Sequence, residues 1–317
     1  SIADLPGTVR AGKQVVSWGE STFIGNSINS INPIDVSAFR RPGAEIKEGL
    51  IPVNMFYVSQ TLTDNLSAEA FYQLEWDQTV LDNCGTFFGG DVAADGCTNN
   101  YTVGSPAIAP LQPIAAARGQ GFVVTREGVV VQRAGDRDAR DSGQFGAALR
   151  WLGDDTEYGL YFMNYHSRTP TVGTVTAGAS TLASIPGIVA TANRIAPGSG
   201  SGLAQSVMLG RGQYYLDYPE DIRLYGLSFS TTLPTGTAWS GEVSYRPNAP
   251  VQLNTTDILY SGLTPLDPNA SVLQGRPGQD QPGYRRKEVT QLQTTFTHFF
   301  DQVMGASRLT LVGEVGW

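Results

Sequence analysis

The sequence predicts an all-β chain: a transmembrane antiparallel β-barrel with short periplasmic turns and long extracellular loops. Three observations carry that expectation. Apolar and polar residues alternate with a period of two through the regular stretches, and helical periodicity is nearly absent. The connections between those stretches go short, long, short, long without exception, as in bacterial outer-membrane barrels. Charged residues are 16% of the chain, against about a quarter in ordinary globular proteins, and lysine occurs only at Lys13, Lys47 and Lys287.

Residues 13–20 form the first expected strand, with Val16 and Trp18 alternating against Val15, Ser17 and Gly19. Beyond Trp18 the chain leaves the membrane and lies in water or folds back into the barrel mouth. Residues 51–63 and 66–76 pair about the tight turn Thr63-Asp64-Asn65. The hairpin recurs in 143–152 with 156–169, in 221–233 with 237–247, and in 288–300 with 307–317. Four long connections, 21–48, 77–142, 170–220 and 248–287, are expected to be extracellular or folded into the lumen. An even-stranded barrel begins and ends on its short-turn side. The first and ninth strands here both run toward long loops, so the sequence reads as part of a larger barrel that lacks strands at both ends.

The two faces of these strands differ in chemistry. Leu66, Ala68, Ala70, Tyr72, Leu74 and Trp76 share one face, and Ser67, Glu69, Phe71, Gln73 and Glu75 the other. Apolar rows follow at Phe145, Ala147, Leu149 and Trp151, at Tyr225, Leu227 and Phe229, at Trp239, Val243 and Tyr245, and at Leu309, Leu311, Val315 and Trp317. Hydrocarbon cannot solvate charge, so a lipid-facing row must be apolar, whereas a watery lumen accepts Arg and Glu. Trp76, Trp151 and Tyr158, at strand ends, are expected in the interfacial belts. A soluble antiparallel sheet with one buried face would alternate in the same way; loop asymmetry, scarce lysine and strand length favour the membrane.

Composition excludes other classes. The net charge of −8 argues against a nucleic-acid surface. No stretch nears eighteen consecutive apolar residues, so no membrane helix is expected. Cys84 and Cys97 flank twelve residues of a polar segment. In an oxidising compartment they are expected to form a disulfide, contributing roughly 3 kcal/mol on the chain-entropy account, which points to a secreted or periplasm-exposed protein.

Glu69, Glu75, Arg150, Glu242, Arg246, Arg308 and Glu314, on the polar rows, are the candidates for lining a lumen. There they would set solute preference, or merely hydrate the wall or anchor a plug. In the first long connection, Asn32-Pro33 followed by residues 35–40 has the pattern of a capped short helix. Asn32, Asp35, Arg40 and Arg41 are therefore candidates for a constriction or plug, the alternative being an ordinary ordered loop. Asp136, Arg137, Asp138, Arg140 and Asp141 form the densest charge cluster. It reads as an ion-pair network at a loop base, as a polar gate, or as a solvated loop whose exposed pairs each contribute about 0–1 kcal/mol.

Enzymatic constellations are thin. The two histidines, His166 and His298, are expected near opposite membrane faces, and Ser167 points away from its neighbour His166 on a strand. No catalysis and no cofactor are expected. Two scattered histidines and one cysteine pair do not make a zinc site. Asp91 and Asp95 beside Gly96 lack the spacing of a recognised calcium loop, so no metal is expected.

At VVSWGEST, INPID, FRRPGAEIKEGLIPVNM, LTDNLSAEAFYQLEW, RDSGQFGAALRW and EYGLYFMNYHSRTP the chain resembles the domain-of-unknown-function 1302 family of Gram-negative outer-membrane proteins. The likeness covers most of the chain and is weakest in the loops. It implies a porin-like barrel in the outer membrane, embedded in the lipid bilayer. It also implies, as partners, a lipoprotein-carrier-like periplasmic protein (family 1329) and a resistance–nodulation–division transporter. The function expected from the resemblance is passage of a hydrophobic or amphipathic compound across the envelope. The alternative is a structural or partner-binding barrel with a plugged lumen. The family supplies no catalytic or ligand residues to carry over.

Overall fold

The structure, a computed structural model, describes residues 5–90, 92–104, 122–125 and 127–317. Nine strands build its main sheet: β1 (Gly7–Gln14), β2 (Val53–Thr63), β3 (Leu66–Gln73), β4 (Phe145–Leu152), β5 (Thr156–Tyr165), β6 (Ile222–Thr232), β7 (Ala238–Gln252), β8 (Tyr284–Asp301) and β9 (Arg308–Gly316). Neighbours in sequence are neighbours in space, every pair antiparallel. The sheet is open, with β1 and β9 at its two edges. All-β is therefore the class of the chain, and all four short turns stand where the sequence puts them.

One face of the sheet is bare and apolar. Phe56, Leu149, Trp151, Leu160, Leu227, Leu292 and Leu311 are each between 41% and 55% exposed. The other face is covered by the segment between β1 and β2. Trp18, Ile28 and Ile31 from that segment pack on Met55, Phe71, Tyr161, Met163, Ile222 and Leu224 of the strands. The face that the alternation marks as polar thus carries a large apolar patch, which the chain itself fills.

Three expectations need correction. The first strand lies at Gly7–Gln14 rather than 13–20. Trp18 has left the sheet and is 1% exposed, because extended chain laid against a sheet shows the same alternation as a strand within it. Trp76 lies beyond the end of β3, half-buried rather than on the bare face. It lies edge-on to Tyr218, ring centroids 4.8 Å apart, and its indole N–H donates to the Ser167 carbonyl at 3.1 Å. Trp151 and Tyr158 do stand exposed, stacked on each other at 5.4 Å. Finally, residues 170–220 are not merely loop. They form the strands Thr171–Val175 and Gln213–Asp217 and the helices α1 (Ala179–Ile195) and α2 (Gly200–Gly210). Their Gly, Ser and Pro content reads as loop, but α2 is buried on nearly every side, and a helix so enclosed needs no amphipathic stripe to announce it.

Strands β7 and β8 run past their expected ends at the long-loop side. Pro247, where the sequence suggests a stop, falls in a register shift between Arg246 and Ala249; a bulge there accommodates a residue that cannot donate to the ladder. Beyond these strands the long connections assemble a cap. It contains a four-stranded sheet in the order Asp280–Gln281, Thr171–Val175, Gln213–Asp217, Gln132–Arg133. Its core includes Val129, Leu203, Val207, Met208, Tyr214 and Leu216. Cys84 and Cys97 are joined, their Cα atoms 5.8 Å apart.

Candidate functional site

The covered face of the sheet gathers most of the chemistry. The segment that lies on it begins at Val15 and is held by side chains of the sheet. Trp18 donates its indole N–H to Glu69 at 2.7 Å, and its ring centroid lies 5.2 Å from Phe71 and 5.7 Å from Tyr161. Glu69 is also paired to Arg150 at 2.8 Å, which in turn reaches Glu157 at 3.1 Å. Gly19 takes a left-handed φ of 85°, and a Cβ there would overlap the Glu242 carboxylate and Ile28. Only glycine meets both demands at no steric cost.

Two carboxylates act as acceptors for the segment's backbone. Glu314 accepts from the N–H groups of Thr22, Phe23 and Ile24 at 2.9, 2.6 and 2.7 Å, and from the Thr295 hydroxyl at 2.9 Å. Glu242, 4% exposed, accepts from the Glu20 N–H at 2.5 Å and from the Gln293 amide at 3.0 Å. Consecutive backbone N–H groups converging on one carboxylate are charge-assisted bonds of the stronger kind. Ile28 then packs on β6 at Gly226, where an added Cβ would come within 2.7 Å of the Ile28 Cδ1.

Asn32 closes the segment. Its amide donates to the carbonyls of Gln14 and Ile51 at 3.0 and 2.9 Å, and its Oδ1 accepts from Val16 N–H at 3.0 Å. It thus ties the start of the segment to its end. Gln73 donates to the Ile31 carbonyl at 2.7 Å. Asp35 caps the short helix Val36–Arg40, accepting from Ser37 N–H at 2.9 Å. Arg40 pairs with Asp82 and stacks over Phe88 at 4.3 Å, and Arg41 meets Glu48 at 3.3 Å. Burial sets Glu20 apart, since it raises that carboxyl from 4.5 to about 7. Arg150 opposes the rise, while Glu157 and Glu242 add to it.

The remaining candidates are placed apart. Glu75 accepts from Asn54 at 2.6 Å near Lys13, and Arg308 pairs with Asp301 at the last short turn. The charge cluster ties the cap to the sheet. Asp136 pairs with Arg133, Arg137 with Asp280, Arg140 with Glu220 and Asp221, and Asp141 accepts from Trp76 N–H at 2.9 Å. Asp138 lines a polar hollow with Arg223 and Arg286. The run forms ion pairs, and those of Arg137 and Arg140 are exposed. His166 is fully buried, its Nε2 2.9 Å from the Ser142 carbonyl and its Nδ1 accepting from Asp221 N–H. His298 sits 2.8 Å from the Thr237 hydroxyl. Asp91 lies outside the described residues, among which no group of three metal-ligating side chains occurs.

Sequence reasoning missed Trp18, Gly19, Gln73 and Arg168 as site residues. The one available signal was the lone Trp leading into an uncharged Gly/Asn/Ile stretch, a composition that suits packing better than solvent.

No curated protein matches this chain. The family described as "Protein of unknown function (DUF1302)" matches residues 1–317. That match spans the whole chain, which therefore belongs to the DUF1302 family.

Proposed function

We propose that the nine strands are wall strands of an outer-membrane β-barrel in a Gram-negative bacterium, and that the barrel passes a hydrophobic or amphipathic compound across the envelope. Residues 15–35 are the plug of that barrel, and the cap crowns its extracellular end. The observation that carries the reading is the pairing of two unlike faces. A nine-stranded sheet leaves one apolar face bare, with Leu160 at 52% and Leu227 at 55% exposure, while its other face holds carboxylates and a docked segment. Exposed apolar patches of that extent are rare on soluble monomers, and hydrocarbon is the solvent that accepts them. A lipoprotein-carrier-like periplasmic protein and a resistance–nodulation–division transporter are the proposed partners on the inner side.

The test is flux. The whole protein in liposomes is expected to pass a small apolar dye faster than empty liposomes do, and faster still when the plug is loosened by Glu314→Ala. A second reading, a plugged barrel whose cap binds a partner, is favoured by the cap's separate hydrophobic core. It predicts no flux from either protein. Failure of the whole protein to show heat-modifiable migration on gels would remove both readings.

A further inference from the structure

Between the plug, the cap and the long-loop ends of β7 and β8 lies a cleft of about 490 Å³, within the range of small-molecule sites. Two arginines line it, Arg168 just after β5 and Arg246 on β7, and among the described residues no carboxylate does. Arg168 is 7% exposed. Its guanidinium donates to neutral acceptors, the Asp77 carbonyl at 2.9 Å and the Gln73 and Gln144 side chains at 2.5 and 3.1 Å. Its Nε is buried with no partner, as are Arg246 Nε and Asn29 Oδ1, atoms of residues that line the same cleft. Burial pulls the Arg168 guanidinium down to about 10 against the opposing charge of Asp77, so it is still cationic at neutral pH.

An unpaired cation out of water is costly unless an anion answers it. Elsewhere on the covered face the arginine has its acid, as Arg150 has Glu69 and Glu157. Here two arginines line one cleft and bond no carboxylate, although the charge of Asp77 acts on Arg168, and planar guanidinium donors match a carboxylate or phosphate fork. The rest of the lining is apolar in part, through Tyr165, Ile222, Val251 and Val289. We infer that the cleft binds an amphipathic anion, its carboxylate held between Arg168 and Arg246 and its apolar body laid against Tyr165 and Ile222. As a substrate class this rests on the passage reading; as a binding site it does not.

The probe is 4-phenylbutyrate, which is soluble enough not to be lost into lipid. Its binding to the whole protein in nanodiscs is followed by saturation-transfer NMR. The uncharged amide, 4-phenylbutyramide, is the control. The carboxylate is expected to bind at least tenfold more tightly than the amide, and Arg246→Gln to remove that preference while Arg246→Lys restores part of it. Arg168→Gln adds the second arm, with near-UV circular dichroism to show that it folds, since Arg168 also bonds wall residues. Equal binding of acid and amide, no binding of either, or a preference untouched by Arg246→Gln overturns the inference. Liposome flux with a neutral dye separates the two readings. Flux without carboxylate preference sinks this site alone, and carboxylate preference without flux sinks passage alone.

Discussion

Replacing Glu314 by alanine removes the acceptor for three consecutive N–H groups, those of Thr22, Phe23 and Ile24. A hydrogen bond to a charged group contributes about 1.5–3 kcal/mol. The three share one carboxylate and are partly open to water, so their losses do not add. A net loss of about 2–3 kcal/mol for local release follows, because water takes over part of the bonding. At 1.4 kcal/mol per decade, that raises the undocked fraction of this stretch roughly 30- to 150-fold. Hydrogen–deuterium exchange on the whole protein in detergent reads it directly. Amides 22–24 are expected to exchange faster by that factor, while those of β5 and β6 stay unchanged. Glu75→Ala, which removes a carboxylate bonded to Asn54 and not to the docked segment, is the control and leaves amides 22–24 as they were. Unaltered exchange at 22–24 in the Glu314→Ala protein would refute the claim that this carboxylate holds the segment.

Trp18→Ala empties a buried site against Phe71 and Tyr161; it is expected to lower stability by about 3–5 kcal/mol and to expose residues 15–32 to limited proteolysis. Glu20, in the docked segment, faces Arg150, Glu157 and Glu242. Its docked value of about 7 lies above the ordinary 4.5, so docking takes up a proton. The extra hold is full below about 4.5 and is lost as pH rises through about 7. Exchange at amides 18–24 should quicken across that window, and Glu20→Gln should flatten the dependence. Reduction of Cys84–Cys97 removes a closure of roughly 3 kcal/mol on the chain-entropy account. Faster protease cleavage between residues 85 and 96 is expected, with the circular-dichroism melt of the main sheet unmoved.

Much of the fold was legible in the sequence because its cues are local. Asp64-Asn65 and Gly153-Asp154-Asp155 mark turns by their own conformational preferences, and alternation from Leu66 to Gln73 assigns faces one residue at a time. The site was legible only in part. Glu69, Glu242 and Glu314 stood out as charges on polar rows, yet nothing near them in sequence says whether water or backbone N–H groups satisfy them. Trp18 misled for a related reason, since alternation reports extended chain and not its hydrogen-bond partner. The helices of 170–220 escaped because α2 is enclosed and so carries no stripe.

By itself, then, the sequence determined the hairpins, their order and the two chemically unlike faces. Each follows from residues within a strand and its adjoining turn. Tertiary structure alone decided that the segment after β1 returns onto the sheet, which carboxylates receive it, and that Arg168 and Arg246 line one cleft that no carboxylate among the described residues lines. The contacts behind those outcomes join residues far apart in the chain; Thr22 and Glu314 are 292 positions from each other. No local period encodes such a pairing. It is selected only when the whole sheet brings its buried acceptors to one surface and an uncharged, glycine-rich segment can lie flat enough to reach them.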